Sequence, residues 1–211
     1  MLSKLHSIPP KALILLGFIL VALVVSMGSA RPGLSHPHVF LESEMRVELD
    51  RDGIKGLWHE WIFDEYQSAW IISQYAKDGS GEISGPELDR LYRETFDNLK
   101  AYDFFTWVVV GDETIAAGEI DHFSVKIRDN LAVYSFFIPL DISLGQNPEE
   151  VYILVYDETY FCHIFFPPEE VGFTGETWAW NIEYSFTKRP DMSFYFGMVT
   201  PEAVKLKLSP L

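Results

Sequence analysis

Two histidines separated by a single residue are the side chains in this sequence best suited to bind a metal ion together. In His36-Pro37-His38, residues i and i+2 of an extended strand point to the same side, so both imidazoles can face one ion. Pro37 fixes its own backbone angle and disfavours a helix at His36. Imidazole nitrogen suits divalent zinc, nickel, cobalt or copper. The segment therefore predicts two ligands of a transition-metal site.

Such a site needs further ligands, because structural zinc takes four protein ligands and catalytic zinc takes three. Asp157 and His163 are the first choice, since on one continuous strand they share a parity and hence a face. His59 and His122 are the alternatives. The metal would fasten the N-terminus to the sheet, and its affinity should fall below pH ~6 as the imidazoles protonate.

A second candidate ion site is the segment 76–87, which aligns with a twelve-residue EF-hand loop. Its ligand positions carry oxygen-bearing residues, among them Asp78, Ser80, Glu82 (through its backbone carbonyl) and Glu87. Position 1 is Ala76, which has no side-chain oxygen, whereas calcium takes six to eight oxygen ligands. We expect EF-hand-like geometry with weak calcium binding. The alternative is a degenerate loop held by its own hydrogen bonds.

Catalytic motifs are missing from the sequence. It has no Gly-x-Ser-x-Gly elbow, His-Glu-x-x-His pair, phosphate-binding loop or dinucleotide fingerprint. Cys162 is the single cysteine, so no intrachain disulfide can form, and its apolar neighbours predict a small core residue. The sequence gives no support for an enzyme.

The elements that must position these residues begin with a β-hairpin. Apolar and polar residues alternate from Val39 to Leu49, a turn follows, and residues 54–63 return as a second strand. Asp64 can cap a helix that runs to about Tyr75. Pro86 favours the first turn of a second helix, which should end near Lys100.

The remaining sequence consists of short apolar runs that predict strands. They are Phe104–Val110, His122–Arg128, Leu131–Pro139, Val151–Tyr156, Phe161–Phe166 and Trp178–Phe186. The expected fold class is α+β. A mostly antiparallel β-sheet or sandwich forms one domain over residues 31–211, with an EF-hand-like two-helix insertion, residues 64–100, after the first hairpin.

Residues 1–30 have the three parts of a cleaved secretory signal peptide. Lys4 and Lys11 are positive, the run Ala12–Val25 is apolar but shorter than the about 20 residues of a membrane span, and Ala30 ends a small-residue segment. Cleavage is expected after Ala30, with Ser35 as the alternative. The mature chain should then lie in the periplasm without direct membrane insertion.

The chain is strongly acidic, with a net charge of -15. Such a surface repels nucleic acid and anionic lipid and attracts cations. Solubility, or an organism living in salt, explains the acidity equally well. The charge therefore excludes nucleic acid as a partner and leaves a cation role open.

Several segments resemble the DUF1007 family of bacterial proteins. They are HPHVF after the signal peptide, WIFDEYQSAW, the EF-hand-like loop, FDNLKAYDFFT, NLAVYSFFIPL and VYDETYF. Proteins of that family are commonly described as periplasmic components of an ABC-type transport system and often accompany nickel/cobalt-type permeases. Their loop often has aspartate at position 1, where this chain has Ala76, and that departure weakens a calcium role.

The resemblance implies a periplasmic accessory protein that handles a divalent transition metal for a permease or ABC transporter of the inner membrane. His36 and His38 match the HPH of the family. The alternative is a protein–protein interaction module of the cell envelope, in which HPH only begins a strand. A metal-dependent envelope hydrolase has the least support.

Overall fold

The computed structural model describes residues 37–76, 79, 81–145, 149–167 and 170–211. The predicted signal peptide and three candidate ligands, His36, Asp78 and Ser80, lie outside these residues. Within the described ranges, no helix is both long enough and apolar enough to cross a membrane.

The described residues form two β-sheets that face each other across a core. In chain order the strands are β1 (Val39–Leu49), β2 (Gly53–Phe63), β3 (Glu82–Ile83), β4 (Thr106–Val110), β5 (Glu113–Ile115), β6 (Asp121–Arg128), β7 (Leu131–Ser143), β8 (Glu149–Val155), β9 (Cys162–Phe165), β10 (Val171–Gly175), β11 (Trp180–Lys188) and β12 (Glu202–Pro210). The first sheet has the order β10-β1-β2-β7-β6-β3, with β9 also paired to β1. The second has the order β11-β12-β8-β4-β5 and is antiparallel throughout.

The hairpin of β1 and β2 follows from its sequence. Alternate residues of β1 are buried, and Asp50 accepts hydrogen bonds from the N–H groups of Asp52 and Gly53 at 2.8 and 2.9 Å, which closes the turn. Gly53 has a φ of 152°, and a Cβ there would lie 2.1 Å from the carbonyl oxygen of Ile142. Glycine is therefore required where this turn approaches β7.

The helical insertion begins as predicted. Helix α1 (Glu65–Tyr75) is capped by Asp64, whose Oδ1 accepts from the N–H of Gln67 at 2.7 Å. Helix α2 (Gly85–Leu91) has Pro86 in its first turn and continues as a π-helical turn, Tyr92–Phe96. A 3₁₀ segment begins at Asp97, but Tyr102, Asp103 and Phe104 have non-helical backbone angles, so the helical region ends close to the predicted end near Lys100.

The main core lies between the sheets. Leu57, Trp61 and Phe136 from the first sheet and Val108 and Ile153 from the second are buried in one cluster. Burying apolar surface at about 25 cal/mol per Å² makes this cluster the main source of stability. A smaller cluster on the outer face of the second sheet contains Leu154, Tyr156 and Ala203.

The predicted fold class is confirmed: two mostly antiparallel sheets form a sandwich with a helical insertion after the first hairpin. The parallel pairing of β1 with β9 and with β10 was not predicted. Four strands, β3, β5, β10 and β12, were also absent from the prediction.

Candidate functional site

His38 and His163 lie on the same face of the first sheet although they are far apart in the sequence. Strand β9 runs parallel to β1, with Phe40 opposite His163 and Val39 opposite Cys162. The backbone N–H of His38 donates to the carbonyl of Phe161 at 2.8 Å. His38 and His163 are therefore diagonal neighbours on this face. Both side chains are exposed.

Three exposed phenylalanines surround the two histidines. His38 and Phe161 have ring centroids 5.1 Å apart, and Phe40 and His163 have centroids 5.8 Å apart. Phe40, Phe161 and Phe165 are exposed to 47%, 47% and 56%. We call His38, Phe40, Phe161, His163 and Phe165 the aromatic–histidine face. A depression of about 290 Å³ beside it is lined by His163 and also by the carboxylate residue Glu42.

The continuous strand that was expected to carry both Asp157 and His163 is interrupted. Strand β8 ends at Val155 and β9 begins at Cys162, with a turn between them. The Asp157 carboxylate is buried and accepts hydrogen bonds from the N–H and hydroxyl of Thr159 and from the N–H of Cys162, at 2.7–2.9 Å. The expected continuous strand is therefore absent and Asp157 organises the turn, but Asp157 and His163 both line a depression of about 200 Å³.

The alternative histidines occupy other parts of the fold. His59 is fully buried, stacks on Phe136 at 5.2 Å and contacts the Thr106 hydroxyl at 3.5 Å across the core. Burial lowers the pKa of His59 to about 3, so its imidazole is neutral. His122 is exposed on β6 and stacks on Trp58 at 5.5 Å.

The EF-hand-like loop is attached to the first sheet. Ile83 is buried and pairs with Val125 of β6, and the N–H of Ile127 donates to the carbonyl of Gly81 at 2.7 Å. Glu82 is exposed, and Glu87 is half-buried in the first turn of α2. Asp78 and Ser80 lie outside the described residues. Whether this loop binds calcium therefore stays a prediction.

Cys162 is a partly buried residue of β9 that packs against the main core. Burial, with the carboxylate of Asp157 as a second cause, raises the pKa of its thiol to about 12. Because the thiolate is the nucleophilic form of cysteine, this residue has no sign of reactivity.

A cavity of about 310 Å³ lies where the helical insertion covers the inner side of β1 and β2. Its walls include Trp61 from β2, Trp70 from α1 and Phe96 from the π-helical turn. Sequence reasoning did not identify this cavity. The aromatic residues at both ends of the segment Trp61–Trp70 were the available signal, but their convergence depends on how α1 packs.

Among the described residues, no cluster of three or more His, Cys, Asp or Glu side chains is arranged to hold a metal ion. This statement does not include His36 or Asp78. Of the expected transition-metal ligands, the fold brings His38 beside His163 on the sheet, and it places Asp157 and His163 around one depression.

The fold and these residues define an α+β protein of two facing sheets, with a helical insertion and an exposed histidine pair. The chain belongs to the DUF1007 family, described as proteins of unknown function, whose sequence profile matches residues 20–190. This confirms the resemblance found in the sequence. The chain is also similar to an uncharacterised 15.5 kDa protein encoded in the trpE 3′ region of Spirochaeta aurantia, with 27% identity over 140 residues, 66% of this chain and 99% of that protein.

Proposed function

We propose that this protein is an exported accessory module that captures a divalent transition metal and transfers it to or from a permease or ABC transporter of the inner membrane. The observation that carries the proposal is the placement of His38 and His163 on one exposed face of the parallel strands β1 and β9. Neutral imidazole favours nickel, cobalt, zinc or copper over calcium and magnesium. His36, two residues before His38, is the proposed third ligand.

Exposure and charge suit a site that must release its cargo. A metal held by two or three ligands at a surface exchanges more readily than one enclosed by four, because structural sites are closed. The net charge of -15 concentrates cations near the surface, and Glu42 places a carboxylate in the depression beside His163. These features support a delivery role over a structural metal.

Calorimetric titration of the purified mature chain with Ni²⁺, Co²⁺ or Zn²⁺ tests the proposal. We expect one ion per chain, and a loss of affinity of at least about tenfold, or 1.4 kcal/mol, in His38→Ala and in His163→Ala. His122→Ala is the matched control, because His122 is also exposed but stacks on Trp58. Equal binding in all four proteins would refute the site.

The second candidate function is a protein-interaction module of the cell envelope. It is favoured by the exposed Phe40, Phe161 and Phe165, because clustered exposed aromatic residues are enriched at protein interfaces. A module of this kind would keep its partner after His38→Ala and His163→Ala and lose it after Phe40→Ala and Phe165→Ala. In a metal-delivery module, partner binding requires both the two histidines and the two phenylalanines only if the partner docks on the same face.

Export is part of the same proposal and is supported by the sequence pattern of residues 1–30. N-terminal sequencing of the protein from a native host should find a chain that begins after Ala30 or Ser35, in the periplasmic fraction. A chain that begins at Met1 and stays with the membranes would contradict it.

A further inference from the structure

The cavity beneath the helical insertion is a second candidate site, separate from the histidine pair. Its volume of about 310 Å³ is at the lower end of the range found for small-molecule pockets. Trp61, Phe96 and Tyr134 are almost completely buried and line its interior. Trp70 and Tyr102 also line it and are exposed to 44% and 48%, so they lie at its mouth. A molecule can therefore enter from solvent and reach an aromatic interior.

Trp61, which lines the cavity, carries a hydrogen-bond donor that the described protein atoms leave unsatisfied. Trp61 is 1% exposed, and its indole Nε1 has no hydrogen-bond partner among the described residues. A buried donor without a partner costs about 1–3 kcal/mol. An acceptor atom supplied by a bound molecule would remove that cost. By contrast, the hydroxyl of Tyr134 already forms a hydrogen bond with Thr95.

The backbone around the cavity is irregular where it forms the wall. Thr95 and Phe96 come from the π-helical turn, a structure found frequently at functional sites. Asp103, Phe104 and Phe105 have φ values of 49°, 48° and 56° in succession. Left-handed backbone costs about 1–2 kcal/mol per non-glycine residue, and such strain clusters at ligand sites. The fold therefore tolerates an unfavourable conformation at the segment that shapes this wall.

The charge of the wall limits the kind of molecule that fits. Asp157 lines the cavity, and its carboxylate oxygens already accept from Thr159 and Cys162. An anion would meet this carboxylate and the net charge of -15. The wall offers no lysine or arginine side chain among the described lining residues to offset them.

We infer that this cavity binds a neutral, largely apolar small molecule that carries a hydrogen-bond acceptor, which the indole N–H of Trp61 recognises. The apolar body packs against Phe96 and Tyr134, and Trp70 and Tyr102 close over it at the mouth. The inference does not depend on metal binding by His38 and His163.

Titration of the full mature chain with prodan, a neutral naphthalene ketone whose fluorescence shifts to the blue in apolar surroundings, tests this inference. We expect saturable binding of one molecule per chain. Leu99→Trp should weaken it at least about tenfold, because Leu99 lines the cavity and the larger ring would fill it. Asn98→Trp is the matched control, since Asn98 is exposed on the same segment and does not line the cavity. Equal affinity in both variants would place the probe elsewhere and overturn the inference.

The donor role of Trp61 has its own readout. In the ¹⁵N spectrum of the indole groups, the N–H resonance of Trp61 is the one that is missing from Trp61→Phe. Prodan should shift this resonance in the wild-type chain. The Trp61→Phe variant should bind prodan about three- to tenfold more weakly. This spectrum is recorded on the wild-type chain, so the test remains valid if Leu99→Trp does not fold. A bound probe that leaves this resonance unmoved contradicts the assignment.

The same titration separates this inference from the proposed function. In the double variant His38→Ala/His163→Ala, and in wild type with EDTA, prodan binding should be unchanged within about twofold. A prodan affinity that disappears with the histidines would show that the probe occupies the aromatic–histidine face, and would overturn the cavity inference while leaving the metal proposal intact.

Discussion

The backbone N–H of His38 donates a 2.8 Å hydrogen bond to the carbonyl of Phe161, and their side-chain rings lie 5.1 Å apart. The N–H of Val39 shares the same carbonyl at 3.2 Å. These contacts attach the start of β1 to the turn that precedes β9. Phe161 also lines the cavity, so one side chain contacts both the proposed metal ligand and the proposed small-molecule site.

The turn held by Asp157 should be needed for stability. Asp157→Ala removes the acceptor for the partly buried hydrogen bonds from Thr159 and Cys162, which should lower the free energy of unfolding by about 1–3 kcal/mol. Urea unfolding measures this change. Glu158→Ala, at the exposed neighbouring position, is the control and should stay within about 0.5 kcal/mol of wild type.

The same variant also tests the original assignment of Asp157 as a metal ligand. The folded fraction of Asp157→Ala should bind the same number of Ni²⁺ ions per chain as wild type, because the carboxylate is directed to the turn. Loss of the ion in a folded Asp157→Ala protein would restore Asp157 as a ligand and contradict the structural role.

His59 should make stability depend on pH. Burial lowers its pKa from 6.5 to about 3, so the unfolded chain binds more protons than the folded one between these values. Neutral His59 therefore leaves the free energy of unfolding at its full value above pH 6.5. As the pH falls from 6.5 towards 3, the free energy of unfolding declines by up to about 1.4 kcal/mol per pH unit. His59→Phe keeps the stacking on Phe136 and removes this titration.

Unfolding curves collected between pH 4 and pH 7 check this prediction. The carboxylates are the same in all variants, so their contribution to the pH dependence is shared by all the curves. The slope of the free energy of unfolding against pH should be smaller in His59→Phe than in wild type. His122→Phe, at an exposed histidine, should keep the wild-type slope. Equal slopes in wild type and His59→Phe would mean that His59 is not buried in its neutral form.

Calcium binding by the EF-hand-like loop should be weak, with a Kd above about 10⁻⁴ M, the extracellular end of the EF-hand range. Ala76 occupies position 1 and lies at the C-terminal cap of α1. Ala76→Asp adds a charged oxygen ligand and should tighten calcium binding, which calorimetry measures. Glu87→Gln in that background should reverse the gain, and micromolar affinity in the wild-type chain would refute the prediction.

The local elements could be predicted because their causes are local. The alternation of apolar and polar residues predicted β1, and the capping carboxylate of Asp64 predicted the start of α1. Strand β12 carried the same kind of signal, with Val204, Leu206 and Leu208 alternating with polar residues, and was nevertheless left out of the prediction.

The arrangement of the site depended on contacts between distant segments. No local pattern fixes β9 beside β1, because this parallel pairing depends on where the intervening chain packs. The continuous strand expected from Asp157 to His163 is interrupted because the chain leaves the extended conformation between them, with a φ of 57° at Tyr160. The cavity likewise depends on how α1 and the π-helical turn cover β2.

The central claim is that His38 and His163 bind one transition-metal ion together, and a double-mutant cycle on Ni²⁺ affinity tests it most directly. Calorimetry of wild type, His38→Ala, His163→Ala and the double variant gives the coupling free energy. If both ligate one ion, the double variant should lose less affinity than the sum of the two single losses, with a coupling of at least about 1 kcal/mol. Strictly additive losses, or no loss in His163→Ala, would show that the two histidines do not share an ion.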